Sequence, residues 1–263
     1  MSWLNGLASR LSGLIVPSGD SERHVAVVMD TRRVSPGIRR LSLGGPGVQR
    51  FIMDGGVGLP AAWVKLFVVA QGGLTIGRAY TIRRVDRALG RIDVDFVRHE
   101  HGPVSQWADQ ARVGDTLSLA GPRPGGFVLQ EGTQWLVLIG DASALPAIEA
   151  ILSSLPEPLR VTALVELPSA QDGRVMTSAS MVRLHWVLAG ERPGLVETVL
   201  SWGVPDDVGS CQVWLAGEAG LVTALRQHVL GTWLLPRERL YGKAYWRHGQ
   251  ADFRSRDDEG FQT

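Results

Sequence analysis

One hexapeptide, Arg78-Ala79-Tyr80-Thr81-Ile82-Arg83, offers an aromatic face, a hydroxyl and guanidinium forks within a single extended run. A flat ring system with a diphosphate tail needs these groups: a plane to lie on, a partner for a ring nitrogen, and a fork for phosphate oxygens. An ordinary barrel strand with solvated arginines is the competing reading of the same residues.

A second segment runs His99-Glu100-His101-Gly102-Pro103-Val104-Ser105-Gln106-Trp107-Ala108. Gly102 and Pro103 predict a turn, and Ser105 predicts the N-cap of a helix whose first N–H groups suit a pyrophosphate. His99 and His101 could face one way on an extended chain. No third or fourth ligand stands near them, so a satisfied turn or a cofactor-lining role is favoured over a metal site.

In a third segment, Trp135 to Ile148, a buried strand reaches Gly140-Asp141, turns, and enters a helix with Pro146 in its first turn. Ligands of such units collect outside the carboxyl end of the strand. There is no Gly-x-Gly-x-x-Gly, and a plain βα unit remains the alternative. Glu166, closing the next strand, is placed to bond a ribose 2′-hydroxyl and would then favour NADH. Two later stretches, Val213 to Gly220 and Tyr241 to Gly249, add a further strand-to-helix junction and a mixture of aromatic and cationic residues. The second of these also reads as a capping strand whose Arg247 and His248 face water.

The elements that must position these residues fall into two regimes. Six short strand-like runs, His24–Met29, Arg39–Leu43, Val64–Val69, Ala79–Arg84, Arg91–Arg98 and Thr116–Leu119, are divided by Pro-Gly, Gly-Gly and Gly-Asp, which predicts an antiparallel barrel. Strict alternation over 91–98 puts Ile92, Val94 and Phe96 on its core face. One helix, opening near Ser105, interrupts the strands. After Gly132 the strands become continuously apolar and alternate with helical stretches, which predicts a parallel sheet covered on both faces.

With 263 residues, 44% of them hydrophobic, the chain is long enough for two domains. Lys+Arg 27 against Asp+Glu 26 gives no cation excess for nucleic acid. The single cysteine, Cys211, excludes an intramolecular disulfide, a cysteine-ligated zinc and a cysteine-held iron–sulfur cluster within one chain. Trp3, Leu4, Leu7, Leu11, Leu14 and Ile15 suit an amphipathic helix docked on the domain surface. No signal peptide or membrane span is read, so stable membrane insertion is not expected and the expected location is cytoplasmic.

Taken together, the ordered motifs Arg-x-Tyr-Thr-x-Arg, Gly-Pro-x-Ser-x-Trp-Ala, Gly-Asp-x-x-Ala-Leu-Pro-Ala, Ala-Gly-Glu and Tyr-Trp-Arg-x-Gly resemble the siderophore-interacting proteins. These are flavin-dependent ferric-siderophore reductases of the ferredoxin–NADP reductase-like superfamily, and the match spans about residues 22–250. The resemblance implies a two-domain chain, an N-terminal six-stranded antiparallel β-barrel for FAD and a C-terminal α/β domain with a parallel sheet for NADH or NADPH. Together with the apolar spacing before residue 22 and the charged, aperiodic stretch after 250, the expected divisions are an amphipathic extension over 1–21, the barrel over 22–130, the α/β domain with its C-terminal strand over 131–250, and a disordered tail over 251–263.

Carried over residue by residue, the resemblance has Arg78 contact the FAD phosphates, Tyr80 stack on the isoalloxazine and Thr81 bond near its N5. Gly102, Val104 and Ser105 cradle the pyrophosphate, while Asp141, Ser143 and Ala144 line the nicotinamide pocket. Ile82, Arg83, His99 and Trp246 complete the cofactor-binding set, and Lys65, Arg123 and Arg247 form a basic triad for the ferric siderophore. No side chain acts as nucleophile or acid, and no metal ligand is expected. Ala142 departs from the family's frequent Glu, and Glu100-His101 replaces a more glycine-rich turn.

The implied activity is reduction of a Fe(III)-siderophore to Fe(II) by FAD, with NADH, NADPH or a ferredoxin as donor. A general flavin or ferredoxin-type reductase is the enzymatic rival, and a non-catalytic siderophore or flavin binder the rival of another class.

Overall fold

The computed structural model describes residues 22–53, 55–69, 73–98, 102–156, 159–250 and 253. The expected helix over the first residues, His99, and the tail apart from Phe253 lie outside them. Six strands, β1 (His24–Ser35), β2 (Ile38–Gly44), β3 (Trp63–Val69), β4 (Thr75–Asp86), β5 (Arg91–Val97) and β6 (Thr116–Arg123), close in the order β1-β2-β5-β4-β3-β6. Every pairing in the barrel is antiparallel. Ile92, Val94 and Phe96 lie in its buried core as the alternation requires.

Helix α1 (Pro46–Met53) follows β2, where Pro46-Gly47 reads in the sequence as a turn. Proline suits a first helical turn equally well, and the i, i+3, i+4 spacing of Val48, Phe51 and Ile52 buries all three in the barrel core. Helix α2 (Pro103–Gln110) starts two residues before the expected N-cap. Gly102 is the N-cap and Pro103 opens the helix, so Ser105 sits inside the first turn, buried, its hydroxyl donating to Val97 O at 3.4 Å.

The second half is a five-stranded sheet of β7 (Trp135–Asp141), β8 (Arg160–Leu167), β9 (Met181–Leu188), β10 (Cys211–Glu218) and β11 (Leu240–Trp246), parallel throughout and ordered β11-β10-β7-β8-β9. Helices α4 (Leu195–Leu200) and α5 (Ala219–Gly231) contribute to the core on one face. On the other lies α3 (Leu145–Leu152), seven of whose eight residues are buried. Its core also takes in Ile38 from β2 and Ala61 and Phe127 beside the barrel, so α3 is packed between the two halves.

The connection between the halves is tight. A Cβ at Gly126, where φ is +73°, would meet the Tyr241 ring at 1.7 Å, so this backbone accepts no side chain.

Candidate active site

On β4, Tyr80 pairs with Val64 and Arg78 with Leu66, whereas Thr81 pairs with Trp63 and Ala79 with Lys65. Directly paired residues share a face of the sheet. Arg78 and Tyr80 therefore share the face of the core residues Val64 and Leu66. The Tyr80 ring packs on Phe96 with centroids 4.4 Å apart, and burial pushes its phenol well above the ordinary value, more than nearby Arg78 offsets. Arg78 Nη1 donates to Gly77 O at 2.9 Å.

Three other predicted side chains are committed elsewhere. Ile82 lies in the barrel core, and Ala144 is fully buried beside α3. Arg83 turns its guanidinium to Glu149 of α3 at 2.5 Å, an ion pair across the two halves.

The carboxyl edge of the parallel sheet is organised around Asp141, at the end of β7. Its Oδ1 accepts from Ser143 N at 2.8 Å and Ser143 Oγ at 2.5 Å, and its Oδ2 accepts from Glu218 N at 2.7 Å and Trp246 Nε1 at 2.9 Å. The carboxylate is thereby spent on the framework, tying the ends of β7, β10 and β11 together. Asp141 pairs in register with Glu166. Glu166 accepts from Leu195 N, the first residue of α4, while burial and then the Asp141 charge raise its carboxyl.

Tyr245 opens the Tyr-Trp-Arg-x-Gly motif, which does not show what its side chain touches. The pairing of β11 with β10 slips between Gly217 and Glu218, so that Gly217 faces Ala244 and Glu218 faces Trp246, and Tyr245 is the extra residue of a bulge. Its hydroxyl hydrogen-bonds Thr81 of the barrel. Burial holds the phenol far above its ordinary value, beyond what that bond lowers, and the hydroxyl stays protonated. Period-two alternation cannot foresee a bulge, and so could not point to this contact.

Tyr245→Phe is expected to cost about 1 kcal/mol of stability through the lost hydrogen bond. In FAD-loaded protein it should also shift the visible flavin spectrum as Thr81→Val does, with no further shift in the double variant. Additive shifts would show that the two hydroxyls act separately.

Of the expected basic triad, Lys65 and Arg123 share the outer face of the barrel: Trp63 pairs with Arg123, and Lys65 with Ala120, across a bulge in β6. Arg247 stands over the Phe253 ring, 4.9 Å from its centroid. Lys243 of β11 joins the barrel residues, its Nζ 4.8 Å from the centroid of Trp63, over which Arg123 also sits at 5.5 Å. No cluster of His, Cys, Asp and Glu able to hold a metal occurs among the described residues.

Residues 133–249 match the model of the siderophore-interacting protein, and residues 70–126 that of the siderophore-interacting FAD-binding domain. The chain superposes on the siderophore-interacting protein SipS of Aeromonas hydrophila with a TM-score of 0.76 and 30% identity, covering 88% of this chain and 94% of that one. The chain belongs to the siderophore-interacting protein family. Its barrel carries the family's FAD-binding domain.

Among curated relatives of this siderophore-interacting protein, the ferric vibriobactin reductase ViuB of Vibrio cholerae is 30% identical over 179 residues, 66% of each chain. The mycobactin import ATP-binding/permease protein IrtA of Mycolicibacterium smegmatis is 26% identical over 258 residues, 96% of this chain. The chain spans only 29% of the length of IrtA.

The donor set fits FAD. Helix α2 begins at Gly102 with no side-chain cap, a helix N-terminus of the kind that suits a pyrophosphate, and Val104 and Ala108 anchor the helix in the barrel core. Tyr80 and Thr81, adjacent on β4, supply a ring face and a hydroxyl.

Proposed function

We propose that the protein reduces ferric siderophores to the ferrous state with electrons drawn from NADH or NADPH, a ferredoxin being the second candidate donor. One observation carries this reading. Trp63 stands in register between Thr81 and Arg123, so the hydroxyl assigned to the flavin and the cations assigned to the chelate lie on adjoining strands of one barrel face.

FAD, when bound, accepts two electrons at once and passes them on singly. The side chains position the reactants. Arg78 and the Val104 and Ser105 N–H groups hold the phosphates, Tyr80 offers its plane to the ring, and Thr81 bonds the ring edge under the control of Tyr245. Asp141 and Ser143 shape the crevice for the nicotinamide, with the Trp246 indole fixed beside it. One NAD(P)H supplies the electrons for two Fe(III), and the Fe(II) produced is held far less tightly by hard oxygen ligands. We place the reaction in the cytoplasm, where these donors are found; no helix of the described residues is long and apolar enough to cross a membrane.

The test is anaerobic incubation of FAD-loaded protein with NADH or NADPH, a ferric siderophore and a ferrous-specific chromophore. A ferrous signal above that of free FAD is expected. A signal no greater than the free-flavin control rejects the activity, and reduction of free flavin without any ferrous product would favour a general flavin reductase.

A further inference from the structure

Helix α2, whose first turn is assigned to the pyrophosphate, is poorly provided for by its own sequence. It has no side-chain cap at Gly102, no acidic residue in its first turn and no basic residue in its last. Asp109 places a carboxylate near the C-terminal end, the wrong sign for the helix dipole. Ala111 ends the helix at φ −55° and ψ 138°, outside the left-handed conformation with which many helices close on their last carbonyls. With eight residues, about 12 Å, it has little cooperativity of its own.

What α2 lacks comes from the barrel. Arg39 of β2 donates through Nη2 to Ala111 O at 2.6 Å and through Nη1 to Asp109 O. Both prongs of one guanidinium thus satisfy carbonyls at the C-terminal end, and the cation stands where the dipole favours one. Arg98, just past β5, pairs with the Asp109 carboxylate at 3.1 Å, but that arginine is largely exposed and the contact adds little. Arg39 also stands directly opposite Arg33 across the β1–β2 ladder, and like charges so placed weaken a sheet. Its contribution therefore lies in the helix end it holds, not in the strand.

The anchor of this clamp is close to the plane offered to the flavin. Arg39 pairs in register with Phe96 of β5, the ring on which Tyr80 packs. We propose that Arg39 is a positioning residue for FAD: by fixing the C-terminal end of α2 to β2, it sets where the opposite end meets the pyrophosphate and lets that end stand uncapped. This rests on the assignment of the pyrophosphate to α2 made above.

The experiment titrates the full chain, stripped of flavin, with FAD by fluorescence, and records thermal unfolding with and without saturating FAD. Arg39→Ala should weaken FAD binding about tenfold and shrink the FAD-dependent rise in unfolding temperature, because stabilisation by a ligand follows its affinity. Arg39→Lys, which keeps the charge but not the planar fork, should fall between alanine and wild type. Gln106→Glu tests the underlying assignment. Gln106 is exposed near the start of α2, and a carboxylate there should weaken FAD binding severalfold at low salt and less at high salt.

A lower unfolding temperature of flavin-free Arg39→Ala, with FAD affinity within about twofold of wild type, reduces the residue to a structural cap and overturns the proposal. If the alanine variant does not fold, wild-type affinity in Arg39→Lys overturns it as well. Unchanged FAD binding by Gln106→Glu at low salt takes the pyrophosphate away from α2, and with it the basis of the proposal, while FAD binding by the barrel stands.

Discussion

Replacing Glu149 by alanine is expected to lower stability by about 3–5 kcal/mol, because it strips the shared partner from arginines that stay buried. Glu149 Oε2 bonds Arg83 Nε at 2.5 Å and Oε1 bonds Arg174 Nε at 2.6 Å, while Asp95 takes Arg40 through both of its oxygens at 2.5 and 2.7 Å. Three arginines against two carboxylates already leave one positive charge in excess, so losing one carboxylate doubles it. Thermal unfolding of the variant should start about 10 °C lower. A shift within a degree or two would mean that water or a repacked neighbour takes over the pairing.

The same cluster sets an acid limit. Burial alone would raise the Glu149 carboxyl, but the hydrogen bonds and charges of Arg174 and Arg83 outweigh it and hold the group below the ordinary carboxylate value. A group depressed in the folded state contributes stability above its unfolded value and loses it as pH falls through the folded one. Glu149→Gln should remove that part of the acid sensitivity and destabilise less than alanine at neutral pH.

Asp141→Ala is expected to have the largest functional effect. It removes the acceptor of four hydrogen bonds and leaves the Trp246 indole N–H without its partner, at a cost of about 2–4 kcal/mol. Displacement of the strand ends by an ångström is enough to slow NAD(P)H-dependent bleaching of bound FAD on the order of a hundredfold. FAD binding itself should survive, since the residues proposed to hold it lie on the barrel and α2. Stopped-flow bleaching checks the rate and visible absorption the occupancy; a wild-type rate would show that the crevice does not depend on this carboxylate.

Much of the scaffold is legible in the residues. The alternation over 91–98 identified the barrel face of β5, and the continuously apolar runs after Gly132 identified strands buried on both sides. Local pattern could not show which outward residues the second half covers. Asp95 has the parity of a solvent-facing residue and yet is buried, because Arg40 and Arg174 meet it across the junction. The ion pair of Arg83 is illegible locally for the same reason: its partner, Glu149, lies 66 positions away on α3. Lys243 and Tyr245 depend on a bulge and on the docking of β11 against the barrel, and neither leaves a local signature.

Helix α3 is shared bedding for the barrel and the parallel sheet, buried along nearly its whole length. Relative rotation of the halves would expose that apolar surface and break the arginine pairs together. The placement of the nicotinamide half against the barrel is accordingly set by side-chain packing and by these ion pairs.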